Sequence, residues 1–273
     1  MPATRSALLG LRLLGLGVLG LGWLGLGPLG AGILAPAPAM AAEFTPAQKS
    51  EMGGVIRDYL LQNPEVLQDA MAELERRQKA QEEAKRQQAV DGKAAELFNA
   101  PGDVVLGNPK GKVTLVEFFD YNCGYCKRSL DDIAKLMKTE PDLRLVLKDF
   151  PVLGPGSVEA AYIAGAARNQ LKGDQFWQFH AKLLGGQHGP VGKAQALQVA
   201  KDLGANMDQL AKDAASPEVK TSIQTTMGLA DALGLTGTPT FVVGKDVIVG
   251  AVGYDELKTR VDSVLKCGRA VCS

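Results

Sequence analysis

The chain has 273 residues, with 30 basic and 30 acidic side chains, 46% hydrophobic residues and four cysteines. A formal net charge of zero offers no basic face for nucleic acid, so no nucleic-acid partner is expected. The apolar fraction is ample for a sizeable core, and four cysteines in so long a chain exclude a miniprotein stapled by disulfides.

The first forty or so residues read as an export leader. Arg5 and Arg12 flank a run without charge from Leu13 to Ile33, and Ala39-Met40-Ala41 ends it with small residues where a signal peptidase needs them. Cleavage is expected after Ala41, which makes the mature chain periplasmic. The uncharged run is also long enough for a retained membrane anchor, at ~20 residues; its dense glycine and the cleavage site argue for removal. Export implies an oxidising compartment, where disulfides persist.

Residues 42–100 form a separate helical segment. Met52, Val55, Ile56, Tyr59 and Leu60 recur at helical spacing, and Asn63-Pro64 reads as an N-cap followed by proline at the first helical position. Val66, Leu67, Ala70, Met71 and Leu74 continue an apolar stripe, after which the chain turns polar to Gln88. A helix from Pro64 to Val90 would be about 40 Å long at ~1.5 Å per residue. Such a polar helix has little to bury against its own domain. It reads either as a solvated linker or as an oligomerisation stalk whose stripe meets copies of itself, and the stripe is too short to settle a coiled coil.

Pro101-Gly102 marks a boundary, and residues 101–273 read as an α/β domain. Strands are expected at 104–106, Val113–Phe119 and Leu143–Leu147, with a helix from about Cys123 to Lys138. Gly107 to Lys112 resembles a phosphate loop only superficially, because its glycines have the wrong spacing and a strand follows. Five helices follow: Ser157–Leu171, Gln175–Leu184, Lys193–Leu203, Met207–Ala214 and Pro217–Leu233. A hairpin at Thr240–Val243 and Val247–Val249 and a last helix from Tyr254 to Leu265 complete the chain. A βαβ unit followed by a hairpin and helix is a thioredoxin-like core, here with an all-helical insertion at about 155–235.

Cys123-Gly124-Tyr125-Cys126 opens a helix directly after an apolar strand, which is a specific signal for redox chemistry. The unpaired N–H groups and partial positive charge of a helix start favour a thiolate, so Cys123 is the expected nucleophile. Cys126, one turn in, is the expected resolving thiol. Zinc is the alternative, but it needs two further ligands. His180 and His188 lie in the helical block, and Cys267 and Cys272 have a wider spacing. No metal and no cofactor is expected. Thr238-Pro239 stands just before a strand, about where a thioredoxin fold carries its cis-proline, leaving the Thr238 backbone to pair with an extended substrate. Glu117, in an otherwise apolar strand, is expected to be buried with a raised pKa and to relay protons to Cys126, with Lys148 as its ion-pair partner; a solvent-facing glutamate is the alternative. Cys267 and Cys272 read as a structural disulfide closing the tail, with a second redox pair or a soft-metal site as alternatives.

The segment from Glu117 to Cys126 resembles the active-site segment of the DsbA family of periplasmic thiol oxidoreductases, over about residues 103–266. The N-terminal extension is similar to that of the ScsC-like subgroup, whose members can oligomerise through it. The resemblance implies that Cys123 attacks, Cys126 resolves, Pro239 is cis, and a Glu117/Lys148 pair lies near the site. Gly-Tyr rather than Pro-His between the cysteines, and Thr rather than Val before the proline, are features similar to the dimeric disulfide isomerases. The expected activity is therefore disulfide isomerase or reductase, with Gly124, Tyr125, Thr238 and Pro239 touching substrate. Unfolded or misoxidised exported proteins are the expected substrates, and a membrane redox partner resets the pair. A DsbA-like oxidase and a copper-binding or chaperone protein are the other readings.

Overall fold

The computed structural model describes residues 43–186 and 189–272. The segment expected to be an export leader, with Ala41, and His188 lie outside the described residues, among which no helix is long and apolar enough to cross a membrane. The chain divides between Gln62 and Asn63 into two units.

The first unit carries helix α1, Pro46–Gln62. Thr45 starts it with a capping box: its hydroxyl accepts from Gln48 N–H at 3.3 Å and the Gln48 side chain accepts from Thr45 N–H at 2.9 Å. No α1 residue is buried within the unit; Val55, Ile56 and Tyr59 are exposed.

The second unit begins with α2, Glu65–Gly92, one residue later than Pro64 in the first turn would give. A short helix α3, Ala94–Asn99, follows, and the sequence pattern did not separate it. Then come β1 (Val104–Gly107), β2 (Val113–Phe119), α4 (Gly124–Thr139) and β3 (Leu143–Asp149). The helical insertion is α5 (Pro155–Gln170), α6 (Asp174–Gly185), α7 (Lys193–Asp202), α8 (Met207–Ala214) and α9 (Pro217–Ala232). β4 (Thr240–Val243), β5 (Asp246–Val249) and α10 (Tyr254–Cys267) close the fold.

The strands lie in the order β1-β3-β2-β4-β5, with β2 and β3 parallel across the α4 crossover and every other pair antiparallel. This is a thioredoxin-like α/β architecture. β2 is central and covered on both faces, which explains its nearly unbroken apolar run. One face carries Leu115, Phe119, Leu145 and Phe241, and packs on Ile133 and Leu136 of α4 and Val261 of α10. The other carries Val116, Phe118, Val146 and Val242, and packs on Leu229 and Leu233.

Val90 of α2 and Leu97 of α3 are buried in that second core. The thioredoxin-like body therefore extends upstream of Pro101. The polar helix α2 does bury something against its own domain: its last turn is a core element, and α2 runs along β5. Its first turns remain apolar and uncovered, with Leu67, Met71 and Leu74 on one exposed face.

Candidate active site

The C-terminal end of β2 delivers the chain into the start of α4, and Cys123 is the N-cap residue of that helix. Its extended backbone turns the side chain back over the first turn, where Sγ accepts the Cys126 N–H at 3.1 Å. The same sulfur lies 3.2 Å from the Thr238 carbonyl oxygen, to which the thiol donates. Thr238-Pro239 is a cis peptide and precedes β4 directly. The two cysteines stand as free thiols. Hydrogen bonding from the Cys126 thiol, helped by the Thr238 side chain and the N–H groups of Cys126 and Tyr125, outweighs burial and brings Cys123 down to about 6. Cys126 has no solvent-exposed surface, and burial, the adjacent Cys123 sulfur and Glu117 hold its thiol far above the ordinary range. The two sulfurs thus differ in kind: one is poised as a thiolate at the surface end of the helix, the other is a protonated thiol behind it.

Glu117 is fully buried on the sheet face that carries Phe119, and neither carboxyl oxygen meets a protein hydrogen-bond partner. Burial, then the Cys123 sulfur, pushes it up to about 8. The structure corrects the expected ion pair. In the β2–β3 register Glu117 pairs with Leu147, and Lys148 pairs with Phe118, so alternation puts the two side chains on opposite faces of the sheet. Lys148 Nζ instead donates to both Asp103 oxygens, at 2.7 and 2.9 Å, and to the Glu96 carbonyl at 2.8 Å. Burial works against both charges of that pair, raising Asp103 and lowering Lys148. The missed signal was Asp103 itself, an acid directly before an apolar strand.

A proton held by Glu117 to such high pH makes stability pH-dependent. The unfolded chain releases this proton near 4.5, the ordinary glutamate value, and the folded chain at about 8. The contribution is therefore complete below about pH 4.5 and declines as pH rises through the folded value, by about 5 kcal/mol in all. Glu117→Gln removes the ionisation. The variant should match wild type in urea denaturation of the dithiol form at acid pH, and exceed it by a few kcal/mol near pH 9. Parallel curves for the two proteins across that range would rule out a buried, proton-bound Glu117.

His180 is buried against Phe119, with ring centroids 4.7 Å apart, and stacks on Trp177 at 5.6 Å. Burial drives it down to about 3, so the ring is neutral among these aromatic neighbours. Among the described residues no group of three or more His, Cys, Asp or Glu side chains could hold a metal ion. Cys267 and Cys272 are bonded to each other, and the turn between them seats Ala270 in the core. Gly124 and Tyr125 are exposed beside Cys123, and Arg128 lies over the Tyr125 ring at 4.0 Å.

Sequence reasoning also passed over Asp120 and Asn122. Asp120 accepts from Asn122 N–H at 2.8 Å and from the N–H groups of Val152 and Leu153 at 2.8 and 2.9 Å. Polar side chains between an apolar strand and a Cys pair were the available signal.

The strand, helix start, cysteine pair and cis-proline together define a dithiol site on a thioredoxin-like scaffold. The chain belongs to the DSBA-like thioredoxin domain family, which matches residues 114–262, and the copper resistance protein ScsC N-terminal domain family matches residues 48–81. A thioredoxin-like oxidoreductase from Silicibacter pomeroyi is 42% identical, with a TM-score of 0.60, over 63% of this chain and 98% of that one. BcfH of Salmonella enterica Typhimurium is 27% identical, with a TM-score of 0.69, over 79% and 95%. Disulfide bond formation protein D of Bacillus subtilis is 28% identical over 60% of this chain and 78% of its own. The match to Na(+)/H(+) antiporter NhaA 1 of Salinispora arenicola, 30% identical, covers 59% of this chain but only 24% of the antiporter's length.

Proposed function

We propose that this chain is a thiol–disulfide oxidoreductase of the cell envelope that acts as a disulfide isomerase or reductase on exported proteins. The observation that carries this reading is the asymmetry of the Cys pair: a low-pKa Cys123 sulfur at a helix N-cap, and a buried, protonated Cys126 one turn behind it. The Cys123 thiolate attacks a substrate disulfide and forms a mixed disulfide, and one substrate sulfur leaves as a thiolate. Either that sulfur attacks a second disulfide of the substrate, and the thiolate so released displaces Cys123 as it closes a new disulfide, or Cys126 gives up its proton and displaces the substrate. Glu117, buried against this pair, relays that proton: its ionised form accepts it, and with a value of about 8 that form is the minority at neutral pH. Thr238, whose carbonyl touches Cys123, and Pro239 form the opposite wall for an extended substrate. The exposed side chains of Tyr125, Val152 and Leu153 offer apolar contact. A membrane redox partner resets the pair in the periplasm.

Copies of the chain assemble through residues 43–98, using the Leu67, Met71 and Leu74 face. The match of the ScsC N-terminal family over residues 48–81 supports this. The test is refolding of a scrambled-disulfide protein by the full chain and by a variant with those three residues changed to Glu, with oligomeric state read by sedimentation. The full chain should unscramble the substrate as an oligomer. The variant should be monomeric, lose roughly tenfold or more of the isomerase rate, and still reduce a small disulfide. Rapid oxidation of a reduced protein without unscrambling would replace the isomerase by an oxidase. Cu(I) binding without thiol exchange would favour the metal reading that the ScsC family's name suggests.

A further inference from the structure

The residue before the nucleophile is joined to the helical insertion by its whole side chain. Asn122 Nδ2 donates to Ser157 Oγ at 2.9 Å and to the Val191 carbonyl at 2.9 Å, while Asn122 Oδ1 accepts the Val191 N–H at 2.6 Å. Both amide protons and the carbonyl are thus used, on partners 35 and 69 residues away. Ser157 lies in the first turn of α5, and Val191 two residues before α7. These two partners are themselves held together: a Cβ on Gly156 would come within 2.7 Å of the Val191 carbonyl oxygen, so only glycine admits this approach. The neighbouring side chains act in the same sense. Asp120 binds the backbone ahead of α5, and the Tyr121 ring packs edge-on against Phe179 of α6 at 6.5 Å.

On this geometry we propose that Asn122 is a positioning residue through which the helical insertion holds Cys123 at the N-cap of α4. Cys123 follows it with no intervening residue, and the N-cap geometry depends on the backbone angles at that junction. With the amide removed, Val191 N–H, Val191 C=O and Ser157 Oγ lose a partner together, and the loop is free to carry the sulfur away from the Cys126 N–H. The titratable groups that face Cys123 are Cys126 of α4 and Glu117 of β2. Asp120 is turned to backbone N–H groups, and Arg128 lies over the Tyr125 ring.

The inference rests on the redox reading of Cys123, and the test separates the two. The full chain is reduced, and the thiolate of Cys123 is titrated by its ultraviolet absorbance and by the pH dependence of alkylation. Asn122→Ala should raise the midpoint by about one unit, which slows alkylation roughly tenfold below the midpoint and leaves it unchanged at high pH. Ser157→Ala removes one of the three bonds. It should shift the midpoint the same way by less, and it serves if Asn122→Ala does not fold. Asn108→Ala is the control: it breaks two comparable bonds, to Pro141 and Lys110, at the other end of β2, and should leave the midpoint in place. A folded Asn122→Ala or Ser157→Ala with the wild-type midpoint overturns the inference, as does an equal shift in Asn108→Ala. A wild-type midpoint in the ordinary thiol range removes the redox reading itself, and the inference with it.

Discussion

Cys123→Ser should have no thiol-exchange activity above background, whereas Cys126→Ser should still attack substrates and then fail to release them. The difference follows from where each sulfur sits. A hydroxyl at position 123 is no nucleophile toward a disulfide, whatever the helix start offers it. With Ser at 126 the Cys123 sulfur keeps the backbone N–H of residue 126, so the thiolate forms and attacks, but nothing behind it can displace the substrate. The product is a mixed disulfide, visible on a non-reducing gel and collapsed by added dithiol. Absence of that adduct, with Cys123 titrating normally, would mean that Cys126 is not the resolving thiol. The size of the rate effect shows what the low Cys123 pKa achieves. At pH 7 a thiol with a value of about 6 is roughly thirtyfold more ionised than an ordinary one at ~8.5, but its lower basicity costs about tenfold in nucleophilicity. Attack is therefore only a few times faster. The larger gain is that Cys123 leaves readily from its mixed disulfide, which suits an enzyme that must let substrates go.

Leu97→Ala should cost about 2–5 kcal/mol of stability, and a chain beginning at Pro101 should fail to fold stably. Leu97 is fully buried with Val90 against Val116 and Phe118, the far side of the strand that carries the active site. Starting at Pro101 removes both residues. It also strips the Glu96 carbonyl from Lys148 and the Phe98 carbonyl from Arg144, leaving two cations of β3 short of acceptors. A chain beginning at Asn63 retains all of these and should unfold at nearly the urea concentration of the full chain. A cooperative, unshifted transition for the Pro101 form would show that α3 and the end of α2 merely lean on the body.

Local features of the sequence carried most of the fold and the centre of the site. β2, α4 and the five insertion helices follow from apolar periodicity and from Gly, Asn and Pro punctuation. The Cys pair and Thr238-Pro239 are short motifs in their proper context. Long-range relations were out of reach. Whether Glu117 meets Lys148 depends on the register of two strands separated by a whole helix, and a shift of one residue changes the face. Asp103 reaches Lys148 across 45 positions, and Asn122 reaches Val191 across 69. The end of α2 was masked differently. The long charged run before it resembles a solvated helix, and a single buried valine at its end is too little periodic signal to reveal a core turn.

That core turn has a mechanical meaning. From Glu65 to Val90, α2 contains neither glycine nor proline, so it is a strut about 40 Å long with no built-in joint. One end is socketed beneath the sheet and the other presents Leu67 and Met71. A torque applied at the apolar end arrives at Val90, under Val116 and Phe118, rather than being lost in bending. Whatever grips the exposed face thereby aims the rim of the cysteine site, much as a handle aims the tool fixed to it.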